Sequence, residues 1–162
     1  MKKIIGFIML SFVGFIFIIT AVIVIKKFKV SEETQKRISN LRAATFELPL
    51  INKDLPTIIN YFNTTCMYCQ EEISDIQAHS SLIKKANILL ISNESIRILD
   101  EFQTNFKLDT TTLFLVTDNE DSIKSFFGVS EVPATFIYRS DSSLIKSFKG
   151  KVDANVLYEL VN

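Results

Sequence analysis

The sequence predicts an α/β domain, a mixed β-sheet with helices on both faces, preceded by one N-terminal transmembrane helix. Three observations carry this reading. Residues 4–25 contain no charged side chain. Beyond them, short β-branched and aromatic runs alternate with amphipathic segments, the pattern of strands joined by helices. The last two such runs are joined by a short polar turn, which puts an antiparallel pair at the end of the alternation.

Charge divides the chain in the same way. Five of the 18 basic side chains fall in residues 1–30 with no acid, leaving 13 basic against 18 acidic in residues 31–162. The length of 162 residues fits one domain, and the formal net charge of zero argues against a basic nucleic-acid binder. Two cysteines are too few for a disulfide-stapled miniprotein or a Cys-only zinc site, and one histidine cannot complete a Cys2His2 set. No metal site is expected. With 48% apolar residues, four Gly and three Pro, the chain is not disordered.

Residues 1–3 form a short tail before the apolar run. At about 1.5 Å per residue, residues 4–25 reach roughly 33 Å, enough to cross a hydrocarbon core. A cleaved signal peptide has a shorter apolar region and a small-x-small site. Here Ala21 leads into Val22, Ile23 and Val24, so a retained signal-anchor is the expectation. Lys2 and Lys3 precede the run, and Lys26, Lys27 and Lys29 follow it, so charge alone does not orient it. Residues 26–44 are polar and charged and read as a stalk. The folded domain is expected over 45–162.

Within that domain, Phe46 to Leu50 reads as a short edge strand, with Pro49 suited to an edge or a strand start. Thr57 to Phe62 is a buried strand by its β-branched and aromatic content. Asn63-Thr64-Thr65 can turn and cap. One helix is expected from Cys66 to about Ile83, with Ile73, Ile76, Leu82 and Ile83 as its apolar stripe. Asn87 to Ser92 is a second buried strand. Glu94 to Phe106 is an amphipathic helix carrying Ile96, Leu99, Phe102 and Phe106 at helical spacing. Thr111 to Val116 is a third strand. Ser122 to Phe127 is a short helix that Gly128 can stop. Val132 to Tyr138 and Leu144 to Phe148 form a hairpin across Arg139 to Ser143. Asp153 can cap a last helix reaching about Val161.

Both cysteines lie in one segment, Cys66-Met67-Tyr68-Cys69, at a strand-to-helix junction. A cysteine at a helix N-terminus meets unpaired N–H groups and the positive end of the macrodipole, which favour a thiolate. Cys69, one turn on, faces the same side. Cys66 is therefore the exposed attacker and Cys69 the buried partner of a redox pair. Half a metal site and a structural disulfide are the other readings of the spacing. The first lacks a second ligand pair, and the second closes too short a loop to constrain the unfolded chain much. His79, thirteen residues after Cys66 on the same expected helix, is expected to lie far from the sulfurs. Val132-Pro133 opens a later strand. Proline cannot donate to a ladder, and an X-Pro bond can be cis.

Thr57-Ile58-Ile59-Asn60-Tyr61-Phe62 leading into Cys66-x-x-Cys69, with Phe127-Gly128-Val129-Ser130-Glu131-Val132-Pro133-Ala134-Thr135-Phe136-Ile137, resembles the thioredoxin superfamily. Leu144 to Gly150 is similar to its final strand and glycine. Within the superfamily the chain resembles the membrane-anchored TlpA-like thiol–disulfide oxidoreductases, over roughly Phe46 to Asn162. The resemblance implies a thioredoxin-like fold, with Cys66 as nucleophile and Cys69 as resolving thiol. It implies Pro133 as a cis-proline facing the disulfide, with the Val132 backbone pairing to an extended substrate. It implies no cofactor beyond the redox-active disulfide Cys66–Cys69.

TlpA-like members often carry an acid three residues after the second cysteine, which here is Glu72. It reads either as a proton acceptor for Cys69 with a raised pKa or as a solvated helix-surface carboxylate, with Glu71 beside it. Asn60 stands where thioredoxins proper have a buried aspartate and where TlpA-like proteins commonly have Asn. The family's Trp before the first cysteine and Pro inside the pair are replaced by Thr65 and Tyr68. Met67 and Tyr68 therefore stand where the reduction potential is tuned and substrate is contacted.

The expected protein is an enzyme, a thiol–disulfide oxidoreductase acting on protein thiols and disulfides. It is expected to work as a reductant, reset by a membrane electron-transfer partner. The expected location is a bacterial inner membrane, single-pass, with the C-terminal domain on the periplasmic side. Three alternatives stand beside it. A peroxiredoxin-like peroxide reductase would want Pro and Thr where Ile59 and Asn63 stand. A thioredoxin-fold copper chaperone would want a distal histidine. An inactive tethered adaptor would not need Cys66, Cys69 and Pro133 together.

Overall fold

In the computed structural model, the described residues are 52–162 together with 19–22 and 25. Residues 19–22 and 25 are helical and exposed. The rest of the expected membrane run, the stalk and the Phe46–Leu50 strand lie outside the described residues. Among the described residues no helix is long and apolar enough to cross a membrane.

Five strands form one sheet: β1 (Thr57–Tyr61), β2 (Asn87–Ser92), β3 (Leu113–Thr117), β4 (Ala134–Tyr138) and β5 (Leu144–Lys149). Their spatial order is β3-β2-β1-β4-β5. β1, β2 and β3 run parallel, while β4 is antiparallel to β1 and β5 antiparallel to β4. The helices are α1 (Met67–Ala78), α2 (Ser80–Ile83), α3 (Ile96–Phe106), α4 (Ser122–Phe127) and α5 (Ala154–Val161).

Strand residues alternate between the two faces, so the apolar runs of β1 and β2 feed two cores. Ile58, Ile88, Leu90 and Ile137 pack with Ile73 and Ile76 of α1, Leu82 of α2, Leu99 and Phe102 of α3 and Leu157 of α5. On the other face, Ile59, Tyr61, Leu89, Ile91 and Tyr138 pack with Ile123 of α4 and Val129. The sheet is mixed and carries helices on both faces.

Asp118 sets the start of α4. Its carboxylate accepts from the Ile123 and Lys124 amides at 3.0 and 2.8 Å, and from the buried Tyr61 hydroxyl at 2.9 Å. Burial opposes ionisation of Asp118, but these donors outweigh it and hold the carboxyl below its usual range. Burial and the same carboxylate push the Tyr61 hydroxyl far above its ordinary pKa, so it stays a donor. Gly128 stops α4 in the left-handed region at φ 63°, which favours glycine.

Two helix boundaries differ from expectation. The helix expected from Cys66 to Ile83 is broken at His79, whose ψ of 77° leaves the helical region. His79 Nδ1 accepts from the Leu82 amide at 3.1 Å and so starts α2 as a cap. Serines at 80 and 81 favour such a restart, because they prefer caps to helix interiors. His79 is therefore not on the cysteine helix. Its ring lies against Tyr158 of α5, with centroids 5.3 Å apart. The second helix begins at Ile96 instead of Glu94, because Ser95 is extended and the Glu94 side chain turns back to Thr64.

Candidate active site

Cys66 and Cys69 are joined as a disulfide at the C-terminal end of β1. Cys66 is the N-cap of α1, with extended backbone, and its Sγ accepts from the Cys69 amide at 3.2 Å. This amide is one of the donors every helix start leaves unpaired, and in the reduced protein it stabilises a thiolate at the same place. Cys69 has no exposed surface, whereas Cys66 is partly exposed. The exposed and buried sulfurs are those the spacing assigned.

The Val132–Pro133 peptide is cis. Pro133 is buried, and the Val132 carbonyl oxygen lies 4.0 Å from Cys66 Sγ. The proline loop thus abuts the exposed sulfur from the start of β4. Met67 and Tyr68 are 61% and 59% exposed beside it. Of the two cysteine sulfurs only Cys66 Sγ belongs to a residue with exposed surface, and the exposed Met67 and Tyr68 directly follow it.

Glu72 lies one turn beyond Cys69 on α1 and is fully buried. The solvated reading is thereby excluded. The exposed carboxylate is Glu71, which pairs with Lys151 at 2.8 Å. Strand pairing explains where Glu72 goes. Asn60 of β1 stands opposite Thr135 of β4, and both face α1. Glu72 Oε1 accepts from Asn60 Nδ2 at 2.8 Å and from the Thr135 hydroxyl at 2.7 Å. Oε2 accepts from the Val152 amide at 3.3 Å. Burial pushes the Glu72 carboxyl up to about 7, although the Thr135, Val152 and Asn60 donors oppose the shift.

Gly150, left-handed at φ 81°, turns the chain after β5 back over α1. Its amide donates to the Pro133 carbonyl at 2.8 Å. The turn delivers the Val152 amide to Glu72 and the Ala154 amide to Asp75, the latter at 2.7 Å. Carboxylates of α1 therefore anchor the loop that leads into α5.

The site brings together Cys66, Cys69, Glu72, Val132 and Pro133, with Met67 and Tyr68 at its rim. Thr135 and Val152 were not singled out from sequence. Thr135 had a signal, since strand alternation puts it on the same sheet face as Ile137. The Val152 amide had none, because its position depends on the Gly150 turn. Among the described residues no group of three or more His, Cys, Asp or Glu is placed to hold a metal ion.

A chain with this strand order, a helix capped by the first cysteine and a cis-proline beside it can be set against solved structures. StoA from Bacillus subtilis superposes with a TM-score of 0.60 at 18% identity, over 68% of this chain and 85% of that one. The fold is thioredoxin-like. A thiol:disulfide interchange protein of the thioredoxin family from Chlorobium tepidum TLS superposes at TM-score 0.57 and 17% identity, over 67% of this chain and 79% of that one. The bacterioferritin comigratory protein of Xanthomonas campestris, whose alkyl peroxide reduction has been studied, superposes at 0.56 and 20%, over 66% and 78%. No protein-family model matches the sequence, and no curated protein matches it.

Proposed function

We propose that the chain is a membrane-anchored thiol–disulfide oxidoreductase of TlpA-like type, working as a reductant of envelope proteins. The observation that carries this is the pairing of an N-cap cysteine, next to the cis-proline loop, with a buried carboxyl one turn behind its partner. In the reduced protein, the Cys66 thiolate attacks one sulfur of a substrate disulfide. A Cys66–substrate bond forms, and the other substrate sulfur leaves as a thiolate and takes a proton. Cys69 then gives its proton to Glu72 and attacks Cys66 Sγ. The substrate departs as a dithiol, and the protein is left in the disulfide form. A carboxyl with a pKa of about 7 exchanges protons readily at neutral pH. Two electrons from a dithiol carried by a membrane partner reset the pair.

The charge-free run of residues 4–25 supports a single-pass anchor in a bacterial inner membrane. Disulfide chemistry belongs to an oxidising compartment, so the N-terminus is assigned inside and the C-terminal domain to the periplasmic side. The Xanthomonas likeness does not favour peroxide reduction here, because Ile59 and Asn63 stand where that chemistry wants Pro and Thr. Copper carriage would need a third ligand, and His79 packs on Tyr158 instead.

The test is reduction of a peptide disulfide by the reduced full-length protein, followed at neutral pH. The wild type turns over and Cys66→Ser does not. A wild type that leaves the disulfide intact, or a Cys66→Ser variant that reduces it, overturns the reading.

A further inference from the structure

The loop in front of the nucleophile is held by a residue from another part of the fold. Thr64 lies two positions before Cys66, in the connection from β1 to α1, and is buried. All its polar groups are engaged. Its amide donates to Glu94 Oε2 at 2.7 Å, and its hydroxyl donates to Glu94 Oε1 at 2.8 Å. Its carbonyl accepts from Gln70 Nε2 at 2.7 Å. Gln70 directly follows Cys69 on α1. Glu94 itself sits in the connection from β2 to α3, one strand away. It is fixed there by Ser92, whose hydroxyl donates to Oε2 at 3.1 Å, and by Thr117, whose hydroxyl donates to the Glu94 carbonyl at 3.1 Å.

Three donors converge on one partly buried carboxylate, and no ion pair to a basic residue involves it among the described residues. Ser95 occupies the N-cap of α3 without a side-chain cap bond, and the Glu94 carboxylate accepts from Thr64 and Ser92, outside that helix. What the arrangement does fix is the peptide between β1 and Cys66.

We propose that Glu94 is a positioning residue for thiol–disulfide exchange. Its carboxylate grips Thr64, and through Gln70 the helix turn of Cys69, so that Cys66 Sγ is presented beside the Val132 carbonyl. The proposal rests on the exchange chemistry proposed above. It adds a residue that touches neither cysteine and sits nearly thirty positions away in sequence. Small misplacements of a nucleophile cost up to about a hundredfold in rate. Releasing the loop is expected to cost about tenfold.

The design of the test follows from the hydrogen bonds. Glu94→Ala removes the grip. Glu94→Gln keeps it, because the Gln carbonyl oxygen can accept from the Thr64 amide and Ser92 while its NH2 group donates to the Thr64 hydroxyl oxygen. Thr64→Val removes only the hydroxyl and is the milder variant. Single-turnover oxidation of each reduced full-length protein by a peptide disulfide gives the rate, and thermal unfolding reports the fold.

The expected order is wild type and Glu94→Gln within about twofold of each other, with Glu94→Ala and Thr64→Val slower. The double variant Glu94→Ala/Thr64→Val should be no slower than Glu94→Ala alone, because both act through one contact. An active wild type with Glu94→Ala equally fast overturns the inference and leaves the exchange reading standing. Glu94→Gln as slow as Glu94→Ala assigns the effect to charge and also overturns it. Should Glu94→Ala fail to fold, the Thr64→Val rate decides. An inert wild type overturns the exchange reading, and this inference with it.

Discussion

Thr135 donates its hydroxyl to the Glu72 carboxylate at 2.7 Å across 63 positions of sequence. The contact ties the strand that follows the cis-proline to the acid beneath the buried cysteine. Thr135 also accepts from Asn60 at 2.9 Å, so one hydroxyl joins two strands and a helix. Thr135→Val removes this link while nearly keeping the volume. The carboxylate loses a donor, so the Glu72 pKa rises above the wild-type value of about 7. Stability falls by about 1–3 kcal/mol, the usual cost of leaving a buried polar group unpaired. Carbon NMR titration of the glutamate carboxyls checks the shift, and a Glu72 resonance that titrates unchanged refutes it.

Glu72 also makes stability depend on pH, with a definite sign. Burial raises its pKa from 4.5 to about 7 in the folded, disulfide-bonded chain. Between those values the folded protein holds a proton that the unfolded chain has released. The stability this contributes is fully present below about pH 4.5 and is lost as pH rises through about 7. The loss is of order 3 kcal/mol by linkage. Glu72→Gln removes the titration. Urea unfolding of the oxidised full-length protein, followed by tyrosine fluorescence, should show the wild type losing stability relative to the variant between pH 5 and pH 8. A difference that stays flat over this range contradicts the buried assignment.

Met67 and Tyr68 flank the exposed sulfur and are themselves mostly exposed. Truncating Tyr68 to Ala removes contact area for a substrate but no core packing. KM for a peptide disulfide should rise several-fold, while stability changes by no more than about 0.5 kcal/mol. An unchanged KM makes Tyr68 a bystander.

Electron flow toward substrate requires a reducing pair. The reduction potential of the full-length protein, from thiol-alkylation trapping in redox buffers, is expected near or below about −250 mV, on the thioredoxin side of the scale. A value near about −120 mV would instead make the chain an oxidant of newly secreted proteins.

The sheet was legible in the sequence because its strands are local and strongly patterned. The runs 57–62 and 87–92 are apolar on both faces, as internal parallel strands must be, and the polar turn at 139–143 marks the hairpin. The helix break at His79 was not legible. The apolar stripe continues through Leu82 and Ile83 across it, because α1 and α2 bury side chains in the same core. The cysteine pair was legible from local chemistry and Pro133 from the family resemblance, but the burial of Glu72 was not. Glu71 and Glu72 are neighbours of the same type, and the helix rotation that buries one and exposes the other is set by the packing of Ile73 and Ile76. Strand alternation put Thr135 on the core face, but its pairing with Asn60 and the contact of Glu94 with Thr64 needed long-range register, which no local pattern carries.

The central claim is that Cys66 forms a covalent bond with a client sulfur and Cys69 resolves it. The most direct measurement uses the full-length Cys69→Ser variant expressed in cells, trapped in acid, with its adducts mapped by mass spectrometry. The prediction is a set of adducts joined through Cys66, released by dithiothreitol and absent from Cys66→Ser/Cys69→Ser. A Cys69→Ser variant that carries no protein adducts, while its Cys66 remains a free thiol, would contradict the exchange mechanism.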